Sequence, residues 1–262
     1  MNGLKSKESE RTNVSLLNSL RILEYLGSVD HPASLAELVR ALVLHKSRVM
    51  RLCGTLESMN YLKYDEEKEV YSLGSRLMTL GRIYERQTPV ISEIRSVLAE
   101  IVAELKETAG FYVLIDERRV CLCSVESPHP IRFIMNEGAE LRYPYGSIWK
   151  VIMSWGPAEL KEKILAGAPY VPVTPYTIVT RQDLEKTIET TLKQGYCHTR
   201  ADHDVGSSAV SVPILEPSGK FIGVLSVGGV TERMDSAFMV RAVPLLRQKA
   251  AALSLRLMGW AP

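Results

Sequence analysis

The chain has 262 residues, 46% of them apolar and 24% charged, the balance of a globular protein with room for one large domain or two ordinary ones. Disordered, collagenous and coiled-coil classes are excluded; no run approaches the ~18 uninterrupted apolar residues of a membrane span, and the polar stretch 1–13 lacks the apolar centre of a signal peptide, so a cytoplasmic protein is expected. The net charge of +2 arises in the first third: residues 1–88 hold 13 Lys and Arg against 11 Asp and Glu, whereas 89–262 hold 19 of each.

In chain order, Leu16, Leu17, Leu20, Leu23 and Leu26 recur at helical spacing up to Gly27. A second helix starts at Ser34, where Ser34 and Glu37 have the spacing of a capping box and Leu35, Leu38 and Val39 form the buried stripe. After the apolar turn 42–44, a third helix carries the stripe Val49, Leu52, Cys53, Leu56 and Met59. Two short helices joined by a tight turn make a helix-turn-helix. The β-forming runs 61–64 and 70–73 around the polar turn 65–69 read as a hairpin, which completes a winged helix-turn-helix. A linker helix with Leu77, Leu80, Ile83 and Tyr84 follows and closes at Pro89.

Beyond it the pattern predicts a helix over 92–109, strands over 111–116 and 120–125 around the turn Glu117-Arg118-Arg119, and a strand over 131–135. Helices over 147–154, 157–165 and 182–193 come next, then strands over 196–200, 209–214 and 222–228, and a closing helix over 236–258. Hairpins interleaved with helices indicate an α+β domain on a mostly antiparallel sheet. The expected organisation is a DNA-binding domain over 1–73, the linker helix over 74–90 and a second domain over 91–262.

Chemistry-bearing residues concentrate in two places. The segment 43–56 contains Lys46, Arg48 and Arg51 and no acid. Steps of about 100° put Ser47, Arg51, Gly54 and Ser58 opposite the buried Val49, with Arg48, Met50 and Thr55 on the flanks. Arginine and serine can reach base edges or phosphates, and Lys46 and Ser47 stand at the helix N-terminus, where free amides favour a phosphate. Ser34, together with Lys63 and Lys68 of the hairpin, completes the expected DNA-contact set, although Asp65, Glu66, Glu67 and Glu69 make the wing acidic. The second place is His198, Asp202, His203 and Asp204, which can be read as a metal cluster or as a solvated loop; strand alternation lets only some of the four converge, and no metal is expected. Cys121 and Cys123, two of four cysteines, would share one strand face as buried reduced thiols. Gly-x-Ser-x-Gly is absent and no nucleophile has an identifiable base, so neither a hydrolase nor a cofactor is expected.

The chain resembles the IclR family of bacterial transcriptional regulators over residues 14–257. The resemblance rests on 19–26 (SLRILEYL), 34–38 (SLAEL), 46–52 (KSRVMRL), 71–74 (YSLG), 125–132 (VESPHPIR), 177–180 (TIVT), 194–196 (QGY) and 222–229 (IGVLSVGG). It implies a winged-helix domain that binds a double-stranded DNA operator, a GAF-like domain that binds a small organic effector, and homodimers or homotetramers. The pocket it implies is lined by Met135, Tyr145, Ser147, Ile148, Trp149, Thr199, Arg200, Ala209 and Ser226. Trp149 stands where the family has glycine, Thr199-Arg200 where it has an acidic pair, and Ala209 where it has cysteine, which turns the reading away from glyoxylate or pyruvate toward an aromatic acid. In that reading the helix start near Ser147 holds the anionic group, Arg200 adds positive charge, and Tyr145 and Trp149 flank a ring. The rival readings are that Trp149 and Ile148 fill the cavity, and that the protein is an effector-free DNA-binding adaptor.

Overall fold

The computed structural model describes residues 13–139 and 144–260; most of the polar stretch at the start, and Tyr143, lie outside them. The chain divides between Thr88 and Pro89 into two compact units.

In the first unit, α1 (Val14–Ser28) is capped by Asn13, whose Oδ1 accepts from the Ser15 and Leu16 amides at 3.0 and 3.1 Å. α1 is followed by β1 (Ala33–Ser34), α2 (Leu35–Leu42), α3 (Lys46–Ser58), β2 (Leu62–Asp65), β3 (Val70–Leu73) and α4 (Ser75–Gln87). The three strands form an antiparallel sheet in the order β1-β3-β2. Ile22, Leu26, Leu38, Val49, Cys53 and Leu62 form the core, each large apolar side chain contributing about 1.5–3 kcal/mol by leaving water. Two expectations need correction. Leu16, Leu17 and Leu20 are exposed, and the face of α1 that turns inward is Asn18, Ile22 and Leu26. The Ser34 hydroxyl does accept from the Glu37 amide at 3.3 Å, but the Glu37 carboxylate turns instead to the Tyr25 hydroxyl at 2.9 Å, leaving the box half formed. Gly74 is required where the wing gives way to α4: a Cβ there would lie 2.1 Å from the Asn60 carbonyl oxygen.

The second unit has three layers. Its sheet contains β4 (Thr108–Ile115), β5 (Arg118–Val125), β6 (Cys197–Arg200), β7 (Ser207–Leu215) and β8 (Phe221–Val230), antiparallel throughout in the order β5-β4-β8-β7-β6. One face packs against α5 (Pro89–Leu105) and α9 (Ser236–Arg256) through Phe111, Val212, Leu225, Ile101 and Leu246. The other carries α6 (Gly146–Trp155), α7 (Ala158–Ala166) and α8 (Arg181–Gln194) over Tyr112, Cys121 and Val224. The helix predicted over 92–109 stops at Leu105, because Lys106 takes the left-handed conformation (φ 61°) and Thr108 already belongs to β4. Residues 131–135 form no strand; they cross the sheet as an irregular strap, anchored where the Thr108 hydroxyl donates to the Phe133 carbonyl at 2.5 Å.

A register irregularity in β4/β5 decides which residues face α6. Phe111 pairs with Cys123 and Tyr112 with Cys121, so Leu122 is bulged. The bulge sends Cys123 into the α5/α9 core and Cys121 into the α6 core, correcting the expectation that both share a face. Burial pushes the Cys121 thiol up to about 12 and those of Cys53 and Cys197 to about 11, so these three stay protonated at neutral pH.

Candidate functional site

On the first unit, α3 presents Lys46, Ser47, Met50, Arg51 and Thr55 to solvent, with Arg48 half-buried beside them. Lys46, Arg48 and Arg51 form no ion pair with any described residue. His45 gives the α3 N-terminus no side-chain cap, so its first-turn amides stay open to an anion. A Cβ on Gly54 would meet nothing within 4 Å, and the surface beside Arg51 is accordingly low. Thr55 spends its hydroxyl proton on the Arg51 carbonyl at 3.0 Å, and Ser34 is committed to capping α2. Lys63 and Lys68 are exposed on the wing. The wing turn is held by Asp65, whose Oδ1 accepts from the Glu67 and Lys68 amides.

On the second unit, a pocket lies between α6 and the sheet. It runs from Arg119 on β5 past Tyr112 on β4 and Ser226 on β8 to Ala209 on β7 and Thr199 on β6, with Ser147 and Ile148 of α6, Tyr145, and Phe133 and Met135 of the strap around it. Crossing five strands, it spans about 19 Å of backbone. Its free volume is about 50 Å³, room for a few waters and well under the ~300–1,000 Å³ of ligand pockets. The space above the sheet is taken by the strap: a Cβ on Gly110 would lie 2.7 Å from Met135 Sδ, and one on Gly228 would lie 2.8 Å from Phe133 Cδ1. Two glycines thus form a floor on which two flexible side chains lie.

One end of the pocket is electrically closed. Lys150 and Asp202, both almost fully buried, form an ion pair. Asp202 also accepts from the Gly146 amide at 2.6 Å and the Ile178 amide at 3.0 Å, and the Thr177 hydroxyl donates to its carbonyl at 2.9 Å. The Thr-Ile-Val-Thr run therefore has identifiable tasks: Thr177 and Ile178 hold Asp202, and Thr180 caps α8. Three buried hydroxyls adjoin this end, Ser147 to Ser211 at 2.7 Å and Ser211 donating to Ser226 at 2.9 Å. The other end is electrically open. Arg119 is 2% exposed, and its Nε and Nη2 have no hydrogen-bond partner among the described residues. Its guanidinium lies 5.3 Å from the centre of the Tyr112 ring, and burial holds its pKa down to about 10 while leaving it charged at neutral pH. The same burial raises the Tyr112 phenol further above its ordinary value.

A larger groove of about 450 Å³ opens at the far end of the sheet, near Trp155, Phe221 and Trp260. Its charged groups, Glu216 and Lys220, pair with each other at 3.6 Å, so it offers no uncompensated charge to select a ligand.

Family comparisons match both units. The family described as "IclR helix-turn-helix domain" matches residues 15–66, and "Bacterial transcriptional regulator IclR C-terminal" matches residues 83–255. The chain belongs to the IclR family. Among relatives, the HTH-type transcriptional regulator KdgR of Escherichia coli K12 is 25% identical over 243 residues, covering 93% of this chain and 92% of its own. An IclR-family regulator structure from Alicyclobacillus acidocaldarius superposes with a TM-score of 0.85 at 23% identity, covering 93% of this chain and 98% of that one. An IclR homolog from Microbacterium hydrocarbonoxydans, complexed with 4-hydroxybenzoate, superposes with a TM-score of 0.76 at 19% identity, covering 94% of this chain and 99% of that one. This IclR-type transcriptional regulator has, among the described residues, no helix long and apolar enough to cross a membrane.

Within the IclR-type pocket, Met135, Tyr145, Ser147, Ile148, Thr199, Ala209 and Ser226 come together as expected, and two residues do not. Arg200 is exposed, because alternation along β6 turns Thr199 inward and its neighbour outward. Trp149 lies in the apolar core with Leu184 and Ile188 of α8 rather than in the pocket, so it neither fills the cavity nor flanks a ligand. At the helix N-terminus expected to hold an anion, the Gly146 amide is already met by the Asp202 carboxylate. The residues 198–204 do not converge either: Asp202 turns to Lys150, His203 Nδ1 pairs with Asp204 at 2.6 Å, and His198 is exposed on the outer face. No group of three or more His, Cys, Asp or Glu able to hold a metal occurs among the described residues. Arg119 is the pocket-lining residue the sequence pattern concealed. It reads as part of a charged turn, whereas the turn is Asp116-Glu117, both at positive φ, and Arg119 is already in β5.

Lys150→Met strands the Asp202 carboxylate in the interior and should cost about 3–5 kcal/mol in chemical denaturation. The double variant Lys150→Met/Asp202→Asn should recover part of that loss. A single-variant cost within about 1 kcal/mol, the range of an exposed pair, would contradict the role given to it.

Proposed function

We propose that this regulator binds operator DNA through α3 as a homodimer or homotetramer, and that an aromatic carboxylic acid or a close derivative, bound in the pocket under α6, modulates that binding. The observation that carries the effector reading is Arg119. A buried cation without a counter-ion is costly to fold; Arg119 has none among the described residues, and an anionic ligand would supply one. Tyr112, Phe133, Met135 and Ile148 add the apolar surface that suits a ring. The 4-hydroxybenzoate complex of the Microbacterium homolog supports the ligand class. Opening the pocket requires the strap to lift Met135 and Phe133 from the glycine floor, a displacement an effector could transmit.

The small free volume favours a second reading, an effector-free DNA-binding adaptor. Calorimetry separates the two. On the first reading, benzoate-type acids bind more tightly than pyruvate or glyoxylate and, at 100 times their Kd, stabilise the protein by about 2.7 kcal/mol. Operator affinity should then differ with and without the acid. Tighter binding of the small aliphatic acids, or no binding at all, contradicts the aromatic-acid reading.

For the DNA interface, Arg51→Ala should cost about 1–3 kcal/mol and relax sequence preference if Arg51 reads a base, while Lys46→Ala should weaken all sequences alike and flatten the salt dependence. Unchanged operator affinity in both variants would exclude α3 as the reading helix.

Assembly is proposed through apolar surface that no described residue covers. No residue of α4 is buried: Leu80 and Tyr84 are exposed, as are Leu16, Leu17 and Leu20 of α1. Leu80→Glu should shift the sedimentation profile toward a smaller species. An unchanged profile would remove α4 from the subunit contact.

A further inference from the structure

Among the ionisable groups lining the pocket, Asp202 is satisfied by Lys150 and by the Gly146 and Ile178 amides, and His203 Nδ1 is paired with Asp204. Arg119 alone among the described lining residues keeps open charged donors. They are Nε and Nη2, the two N–H groups along one edge of the guanidinium, and that edge takes a carboxylate through two parallel hydrogen bonds.

The opposite end can be assigned by counting protons. Ser226 donates to the Val210 carbonyl at 3.4 Å, and Ser211 donates to Ser226 at 2.9 Å. Each hydroxyl has one proton. In the arrangement in which Ser211 donates to Ser226, the 2.7 Å contact between Ser147 and Ser211 is donated by Ser147. The chain of hydroxyls then points toward Val210, and Ser147 faces the pocket with acceptor capacity and its own proton engaged. The neighbouring Lys150–Asp202 pair adds no net charge.

We infer that Arg119, rather than the N-terminus of α6, holds the effector's carboxylate, and that the far end of the effector is an uncharged hydrogen-bond donor received by Ser147. This rests on the aromatic-acid reading above and narrows it. The ligand is an aromatic monocarboxylate with a hydroxyl or amino group across the ring, its ring lying over Tyr112 and against Met135 and Ile148. A second carboxylate at the far end would meet the lone pairs of a hydroxyl whose proton is engaged with Ser211. An ether would place acceptor against acceptor.

The test uses the full-length chain and four probes in calorimetry: 4-hydroxybenzoate, 4-hydroxybenzamide, 4-methoxybenzoate and terephthalate. The wild-type protein should bind 4-hydroxybenzoate about tenfold or more tighter than each of the others. Arg119→Met should lower 4-hydroxybenzoate affinity by about tenfold or more while leaving 4-hydroxybenzamide within about threefold. The ligand-free Tm of that variant should be unchanged or higher, since an uncompensated buried charge has been removed. Ser147→Ala should reduce the preference for 4-hydroxybenzoate over 4-methoxybenzoate. Equal loss of the acid and the amide in Arg119→Met, or a lower ligand-free Tm, would assign Arg119 a structural role and overturn the inference alone. Retention of 4-hydroxybenzoate affinity in that variant would do the same, and equal or tighter wild-type binding of the ether or the dicarboxylate would overturn the donor assignment. If the wild-type protein binds none of the four, the aromatic-acid reading itself fails, and this inference with it.

Discussion

The C-terminal unit is organised around one buried ion pair, Lys150 with Asp202. An isolated carboxylate inside a protein is costly, and an amine alone no less so. The cost is offset because Asp202 accepts from two backbone amides as well as from the lysine. Those contacts join three parts of the chain: the first turn of α6, the segment leading to α8, and the connection from β6 to β7. The positions of Ser147 and Ile148 follow from that junction, and with them one wall of the pocket. Its electrostatic consequence matters as much. At the N-terminus of α6, elsewhere a ready anion site, the Gly146 amide is already taken by an internal carboxylate.

The selective charge is therefore displaced to the opposite edge of the sheet. Arg119 faces the pocket because the bulge at Leu122 resets the alternation of β5, keeping Arg119 and Cys121 on the α6 side and sending Cys123 to the other core. The sheet beneath is flat where Gly110 and Gly228 lack side chains, and the strap settles into that space through Met135 and Phe133. The strap lies outside the sheet ladder and is tied at Ile131 and Phe133 by side-chain hydrogen bonds from Arg233 and Thr108, fewer than a paired strand would have to break in moving. A closed pocket whose cation has no partner among the described residues is internally consistent on this account: such a cation destabilises the empty state and favours the occupied one.

How much of this was legible in the sequence depends on whether local pattern or tertiary pairing decided the matter. The helix-turn-helix, the wing, the antiparallel sheet and the closing helix follow from apolar period and turn residues, which are local. Leucines at helical spacing in α1 suggested burial, yet Leu16, Leu17 and Leu20 are exposed; periodicity reveals an apolar face without naming what covers it. Thr199 and Arg200 are neighbours in β6, and only the register with Ala209 shows which one turns inward. Arg119 looked like turn material because Glu117-Arg118-Arg119 is a charged run, and no sequence rule places a buried arginine in a strand. Asp202 was visible as one of four candidate metal ligands, but its partner is 52 residues away in the chain, a separation at which spacing carries no information.

The most direct test of the central claim is a crystal structure of the protein with 4-hydroxybenzoate bound. The account predicts the carboxylate against Nε and Nη2 of Arg119, the phenol oxygen near Ser147, and Met135 lifted from Gly110. A carboxylate at the first turn of α6 with Arg119 still unpaired, or a ligand outside this pocket, would contradict it.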